Sequence, residues 1–403
     1  MTTPIAVAKP LPAVTTVSAR DIARAQAAVR RHMPALDGLR GLAILFVIWN
    51  HVGLSGGRAD GMLSKLFIAG ANAGWVGVQL FFVLSGFLIT GILVDARGQA
   101  NAWRNFSMRR VLRIFPLYYV TLAILLVLLP AIGVLPAWLK ADYEHQVWYW
   151  TYLSNWSIPL EHGGPGVAHF WSLAVEEQFY LMWPLVALRV RPRTLAIVCA
   201  LLVVSALATR INIMYFRPSS FYWTEAAYSW TMAQWDSLAI GALVALAFRD
   251  ARWAAWIMRH NRAIGALATL GMATIIVYAR GFGIMSPEVM TAGKTLFAIL
   301  TGAVVAEVVA RPSTSLGAGI LGHPALAYVG KYSYAIYVFH LPLAHLFRSW
   351  FPVTHGAQGT TTTLTLLAHM IGVLAVSLAL ARTSWVLIEQ PALRLKSRFP
   401  MPA

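Results

Sequence analysis

The sequence predicts an all-α fold: a polytopic membrane bundle of about ten transmembrane helices. Three observations carry that prediction. Of 403 residues, 58% are hydrophobic and 12% charged, about half the charged share of a soluble domain, so too little polar surface exists to face water. The apolar residues come in long blocks and not in alternation, as helices in lipid require. The Lys and Arg residues gather in every second connecting segment, the signature of alternating membrane faces. The same numbers exclude disorder, fibrous repeats and a disulfide scaffold. The single cysteine, Cys199, lies in an apolar run and can form no intrachain disulfide.

Residues 1–33 read as a cytoplasmic tail. Pro, Ala, Thr and Val dominate up to Val17, with no apolar core suited to a cleaved signal peptide. From Ser18 a short helix with a Ser N-cap is expected, its basic face suited to an anionic inner-leaflet surface; a disordered tail is the other reading. Residues 34–403 form one membrane domain. Its apolar spans fall at 36–55, 70–95, 114–136, 168–189, 194–210, 230–248, 263–280, 290–310, 332–350 and 362–388, each near the ~20 residues a bilayer helix needs. With the chain starting inside, inner segments carry roughly three times as many Lys and Arg as outer ones, which predicts both termini in the cytoplasm. The net charge of +17 is thus a topology signal and not a nucleic-acid footprint. No Walker or dinucleotide phosphate loop is present.

Charges that persist inside apolar helices mark candidate functional positions, since each costs ~2.5–3.5 kcal/mol at mid-membrane. The first span contains Arg40 and His51, eleven positions apart; that is about three turns, or ~16 Å, so both share one face. Asp37 stands one turn before Arg40 and can pair with it. Taken alone, His51 also fits a satisfied interfacial residue, and Arg40 a snorkelling one. Arg110 and Arg113, at i,i+3, suit phosphate oxygens of a ligand arriving from the cytoplasm, although the positive-inside rule alone would place arginines there. Glu176 and Glu177 read as opening the fourth span, where the helix dipole favours carboxylates. Adjacent side chains point ~100° apart, so one should face the bundle and pair with a cation. Ser333, Tyr337 and His340 share a face of a later helix, with no carboxylate near and no support for a metal site. An aromatic outer loop, Trp138 to Trp156, reads as an interfacial belt or as a stacking platform for a sugar ring.

Together these stretches resemble the acyltransferase-3 family of integral membrane acyltransferases. The resemblance rests on Leu36-Asp37-Gly38-Leu39-Arg40-Gly41 with His51, Gly77 to Ile89, the Arg110–Arg113 pair, Trp171 to Tyr180, Ser333 to His340, and Ile388-Glu389-Gln390-Pro391. It implies ten helices, an acyl-CoA donor (acetyl-CoA expected) with no tightly bound cofactor, and transfer to a hydroxyl of a carbohydrate or lipid-linked glycan in the bacterial inner membrane. In that reading His51 is the general base, Arg40 holds the donor or steadies the oxyanion, and Glu176 or Glu177 orients imidazole or sugar. Arg110 and Arg113 meet the coenzyme phosphates, and Trp171, Ser333 and His340 contact substrate. A covalent acyl-His intermediate is an open variant. Gln234 stands where many relatives have an arginine, which removes an expected partner of Asp236. The chain ends at Ala403 without the hydrolase-like domain of some relatives, so the bundle or a separate protein is expected to complete transfer. Acylation of a small-molecule glycoside, or a transporter or flippase, are the competing functions.

Overall fold

The computed structural model describes residues 17–53, 62–311, 316–352 and 360–401. Every regular element among them is helical, and the chain is an integral membrane protein. Ser18 caps α1 (Ala19–Ala28) through a capping box with Asp21, as its sequence predicts. Ala25 of α1 is fully buried in the same core as Met258 and Val305, so this segment is docked against the bundle. The stretch before residue 17 lies outside the described residues, as do the outer-loop Arg58 and His355.

The main helices follow in order: α2 (Pro34–Gly53), α3 (Met62–Asn72), α4 (Val76–Asp95), α5 (Ala102–Ala123, carried on to Ala131), α6 (Phe170–Ala187), α7 (Pro192–Phe216), α8 (Phe221–Ser229), α9 (Trp235–Ala247), α10 (Ala251–Tyr278), α11 (Lys294–Ala310), α12 (Pro324–Lys331), α13 (Ser333–Trp350) and α14 (Thr360–Ser384). Seven helical stretches are long and apolar enough to cross a membrane. The helices α6, α9 and α13 are shorter or more polar. Two boundaries differ from expectation. Both α5 and α10 begin about twelve residues before their apolar stretches, so Arg104, Arg252 and Arg259 sit on helical turns, and Arg110 and Arg113 share a helical face as expected.

Close helix approach holds the centre. A Cβ on Gly86 of α4 would lie 1.9 Å from Leu238 O, and one on Gly241 of α9 would lie 2.0 Å from Val83 O. Small residues permit such backbone contact, and packing replaces the hydrophobic effect as the force between helices in lipid.

The buried charges beside this crossing correct the expectation for Asp236. Arg210, at the end of the expected 194–210 span, lies fully buried on α7 and donates to Asp236 Oδ2 at 2.5 Å. Thr295 Oγ1 donates to the same oxygen at 2.8 Å. Lys294 Nζ, also buried, donates to Gln234 Oε1 at 2.9 Å, and Gln79 Nε2 reaches that oxygen at 3.2 Å. The cation that Gln234 cannot supply therefore comes from two other helices.

Two outcomes are expected. Gly86→Val or Gly241→Val should cost ~1–3 kcal/mol or more through overpacking, read as a lower thermal midpoint in detergent. Asp236→Ala should cost ~3–5 kcal/mol because it strands a buried guanidinium; Asp236→Leu combined with Arg210→Met should recover most of that loss.

Candidate active site

Five helices bring the polar residues together. Because α2 is unbroken from Pro34 to Gly53, the eleven-residue spacing keeps Arg40 and His51 on one face. Arg40 Nη1 lies 3.4 Å from Asp37 Oδ1, the expected one-turn pair. A cavity opens beside Arg40, with about 100 Å³ of interior wide enough for water. Its lining includes Arg40, Arg110, Arg113, Glu176 and Ser333, together with Ser85, Ser172, Tyr180, Tyr334 and Tyr337. Residues separated by almost three hundred positions thus share one small space.

Of the three cations lining this cavity, Arg40 is paired with Asp37, whereas Arg110 and Arg113 have no carboxylate partner among the described residues. Among the described residues, no ion pair engages Arg110, Arg113, Glu176 or Glu177. The guanidinium of Arg110 lies over the rings of Phe106 at 5.5 Å and Tyr180 at 5.8 Å, and its buried Nε has no hydrogen-bond partner. Glu176 accepts from Ser85 Oγ at 2.8 Å and from Tyr180 Oη at 3.1 Å. The expected carboxylate–cation pair is therefore replaced by two hydroxyl donors. Nor do the two glutamates stand in a first turn: α6 starts at Phe170, so the helix dipole does not explain them. Glu177 is outside the cavity lining, and its enclosed Oε1 has no hydrogen-bond partner.

Tyr337 forms the wall between this cavity and a cluster of three histidines. Its hydroxyl donates to His169 O at 2.8 Å and receives Ser172 Oγ at 2.5 Å. The imidazole of His340 lies 4.9 Å from that of His51 and 4.8 Å from that of His169, between ring centres. His340 Nδ1 is 2.6 Å from Tyr337 O, and a carbonyl only accepts, so this nitrogen carries the proton. His340 Nε2 is then an acceptor, and His51 Nδ1 stands 3.1 Å from it and 3.0 Å from Val47 O. Both acceptors demand a proton on His51 Nδ1, which puts the lone pair of that ring on Nε2.

Sequence reasoning singled out His51 and His340 separately but gave no sign of their contact, and it passed over His169. Pairing across 289 positions leaves no local pattern, and His169 precedes α6, where helical periodicity cannot place it. Trp171 packs in the core, edge-on to the cavity residue Phe82 at 6.0 Å. Among the described residues, no group of three or more His, Cys, Asp or Glu is arranged to hold a metal ion.

Tyr149 and Tyr152 of the aromatic loop fold inward, whereas Trp138, Trp148, Trp150 and Trp156 stay half-buried. Tyr149 is fully buried, and its hydroxyl donates to Asp142 Oδ1 at 2.6 Å. The amides of Gly164 and Gly166 donate to the same carboxylate at 3.2 and 2.9 Å. Burial pushes the Asp142 carboxyl up, and these bonds oppose the shift. Pro165 O, on the loop so fixed, accepts from His345 Nε2 of α13 at 3.0 Å.

Among the described residues, the chain is an all-helical membrane bundle with a cation-lined cavity abutting a histidine cluster. Residues 33–382 match the family model described as "Acyltransferase domain", and the chain belongs to this family, acyltransferase-3. Similar proteins include the peptidoglycan O-acetyltransferase OatA of Listeria monocytogenes, 30% identical over 335 residues, covering 79% of this chain and 50% of that protein. The putative peptidoglycan O-acetyltransferase YrhL of Bacillus subtilis is 31% identical over 340 residues, with 78% and 49% covered. A putative O-acetyltransferase of Staphylococcus aureus is 28% identical over 347 residues, with 80% and 52% covered. The chain spans about half the length of the curated relatives it matches.

Tyr337→Phe removes the hydroxyl that ties α13 to His169 O and Ser172. It should cost ~1–3 kcal/mol of stability, read as a lower thermal midpoint in detergent.

Proposed function

We propose that the chain is a membrane O-acyltransferase that moves an acyl group, acetyl in this reading, from acyl-CoA to a hydroxyl of a cell-surface or exported carbohydrate. The carrying observation is that Arg40, Arg110 and Arg113 line one cavity whose far wall, Tyr337, packs on the histidine cluster. The names of two relatives contain peptidoglycan O-acetyltransferase, which supports a cell-wall glycan as acceptor. In this reading the protein lies in the bacterial cytoplasmic membrane with both termini inside, following the Lys and Arg bias. Residues 34–403 act as the transferase domain.

The donor enters from the cytoplasm and sets its phosphates against Arg110 and Arg113, where guanidinium forks bind phosphate oxygens. Its thioester passes Arg40 toward His51. The acceptor hydroxyl loses its proton to His51 Nε2 as its oxygen bonds to the carbonyl carbon. The carbon–sulfur bond then breaks, and the thiolate takes a proton to leave as free coenzyme A. His340 orients His51 by accepting from its Nδ1, so the imidazolium formed keeps a polar partner. Arg40 steadies the oxyanion, Glu176 holds Ser85 and Tyr180 about the donor, and Ser333 contacts substrate. Trp171 shapes the cavity from behind Phe82, and Glu177 tunes the field beside Arg110.

His51→Ala should lower transfer by about 10²–10⁴-fold while membrane insertion stays normal; retained activity removes the base. Arg110→Ala with Arg113→Ala should raise KM for acyl-CoA by about tenfold or more, since each charge-assisted hydrogen bond is worth ~1.5–3 kcal/mol. An unchanged KM returns both arginines to topology alone.

A further inference from the structure

A second basic cavity lies at the start of α2. It measures about 500 Å³ and is lined by Arg24, Arg31, His32, Met33, Pro34 and Ala35. Two of these, Arg24 and Arg31, come from α1 and the turn after it, ahead of the family-matched region that begins at residue 33. The capping box at Ser18 and the burial of Ala25 fix α1 in place, so these cations are held at the cavity and not on a free tail.

The cavity is joined to the reaction site through one carboxylate. His32 Nε2 is 2.6 Å from Asp37 Oδ2, and Asp37 Oδ1 is 3.4 Å from Arg40 Nη1. Ala35 lines the second cavity and Arg40 the first. Five residues of helix separate them, a rise of ~8 Å. Five positions also turn the helix by about 140°, so the two basic spaces face different sides of α2 and are linked through Asp37. Arg24 and Arg31 supply donors for phosphate, the amide end of α2 favours an anion, and Met33, Pro34 and Ala35 offer an apolar wall for a flat ring. That combination fits a phosphorylated nucleoside better than an isolated phosphate, which has no use for apolar walls.

We propose that this cavity binds the 3′-phosphoadenosine end of acyl-CoA, while Arg110 and Arg113 take the pyrophosphate and the thioester arm runs on toward His51. The inference rests on the acyl-CoA reading above. It makes α1, outside the family-matched region, a donor-binding element.

The test uses the full chain in phosphatidylcholine nanodiscs, with acetyl-CoA and 3′-dephospho-acetyl-CoA as donors and adenosine 3′,5′-bisphosphate as binding probe. The wild type should show a KM about tenfold lower for acetyl-CoA than for the dephospho donor, the worth of one charge-assisted contact. Arg24→Ala with Arg31→Ala should erase that preference and weaken bisphosphate binding about tenfold, with a thermal midpoint equal to that of wild type. Arg20→Ala removes a charge from the same helix outside the cavity and should change neither. An active protein whose double variant keeps the preference overturns the inference and leaves acyl transfer intact. So does a preference lost only when phosphatidylglycerol is present, because the arginines then serve a lipid headgroup. Bisphosphate binding that depends on Arg24 and Arg31, with no transfer from either donor, upholds the nucleotide site and overturns the transferase reading instead.

Discussion

A guanidinium or imidazole inside a bilayer persists only where the protein supplies what water would have supplied. In this bundle the supply comes from backbone carbonyls, hydroxyls and aromatic faces far more than from opposite charges. His51 sits between Val47 O and His340. Arg110 lies between two rings, and Glu176 between two hydroxyls. Among the described residues Arg210 meets a carboxylate directly, away from the cavity beside Arg40. Of the cations lining that cavity, Arg40 pairs with Asp37, whereas Arg110 and Arg113 have no ion-pair partner among the described residues.

The histidine cluster adds direction to this arrangement. Because Tyr337 O can only accept, proton positions follow along the chain Tyr337–His340–His51 without a further assumption. A fixed tautomer leaves one defined ring nitrogen of His51 with a lone pair. The helix α13 both lines the cavity, through Ser333 and Tyr337, and contacts His51, through His340.

Much of the fold was legible in the sequence because lipid imposes a simple code of apolar length and positive-inside charge. The spans begin and end close to where that code puts them, and the errors are physical. Basic turns of α5 and α10 continue as helix beyond the apolar stretch, since helical hydrogen bonding does not stop where hydropathy does. Within the site, the shared face of Arg40 and His51 could be read from spacing alone, since both stand on α2. The contact of His51 with His340 could not, nor could the rescue of Asp236 by Arg210, because each joins helices distant in sequence. The dipole reading of Glu176 failed for a different reason: the helix starts at Phe170, close to the expected position 168, and that start already puts Glu176 beyond the first turn.

The account stands or falls on chemistry at the thioester. Purified protein in nanodiscs, with no ion gradient, can be given acetyl-CoA labelled in the acetyl group together with a peptidoglycan fragment. The label is predicted to appear on a carbohydrate hydroxyl, with one free coenzyme A released per acetyl moved. Protein that leaves acetyl-CoA intact under these conditions, yet carries glycan or coenzyme across a bilayer when a gradient is imposed, would contradict it.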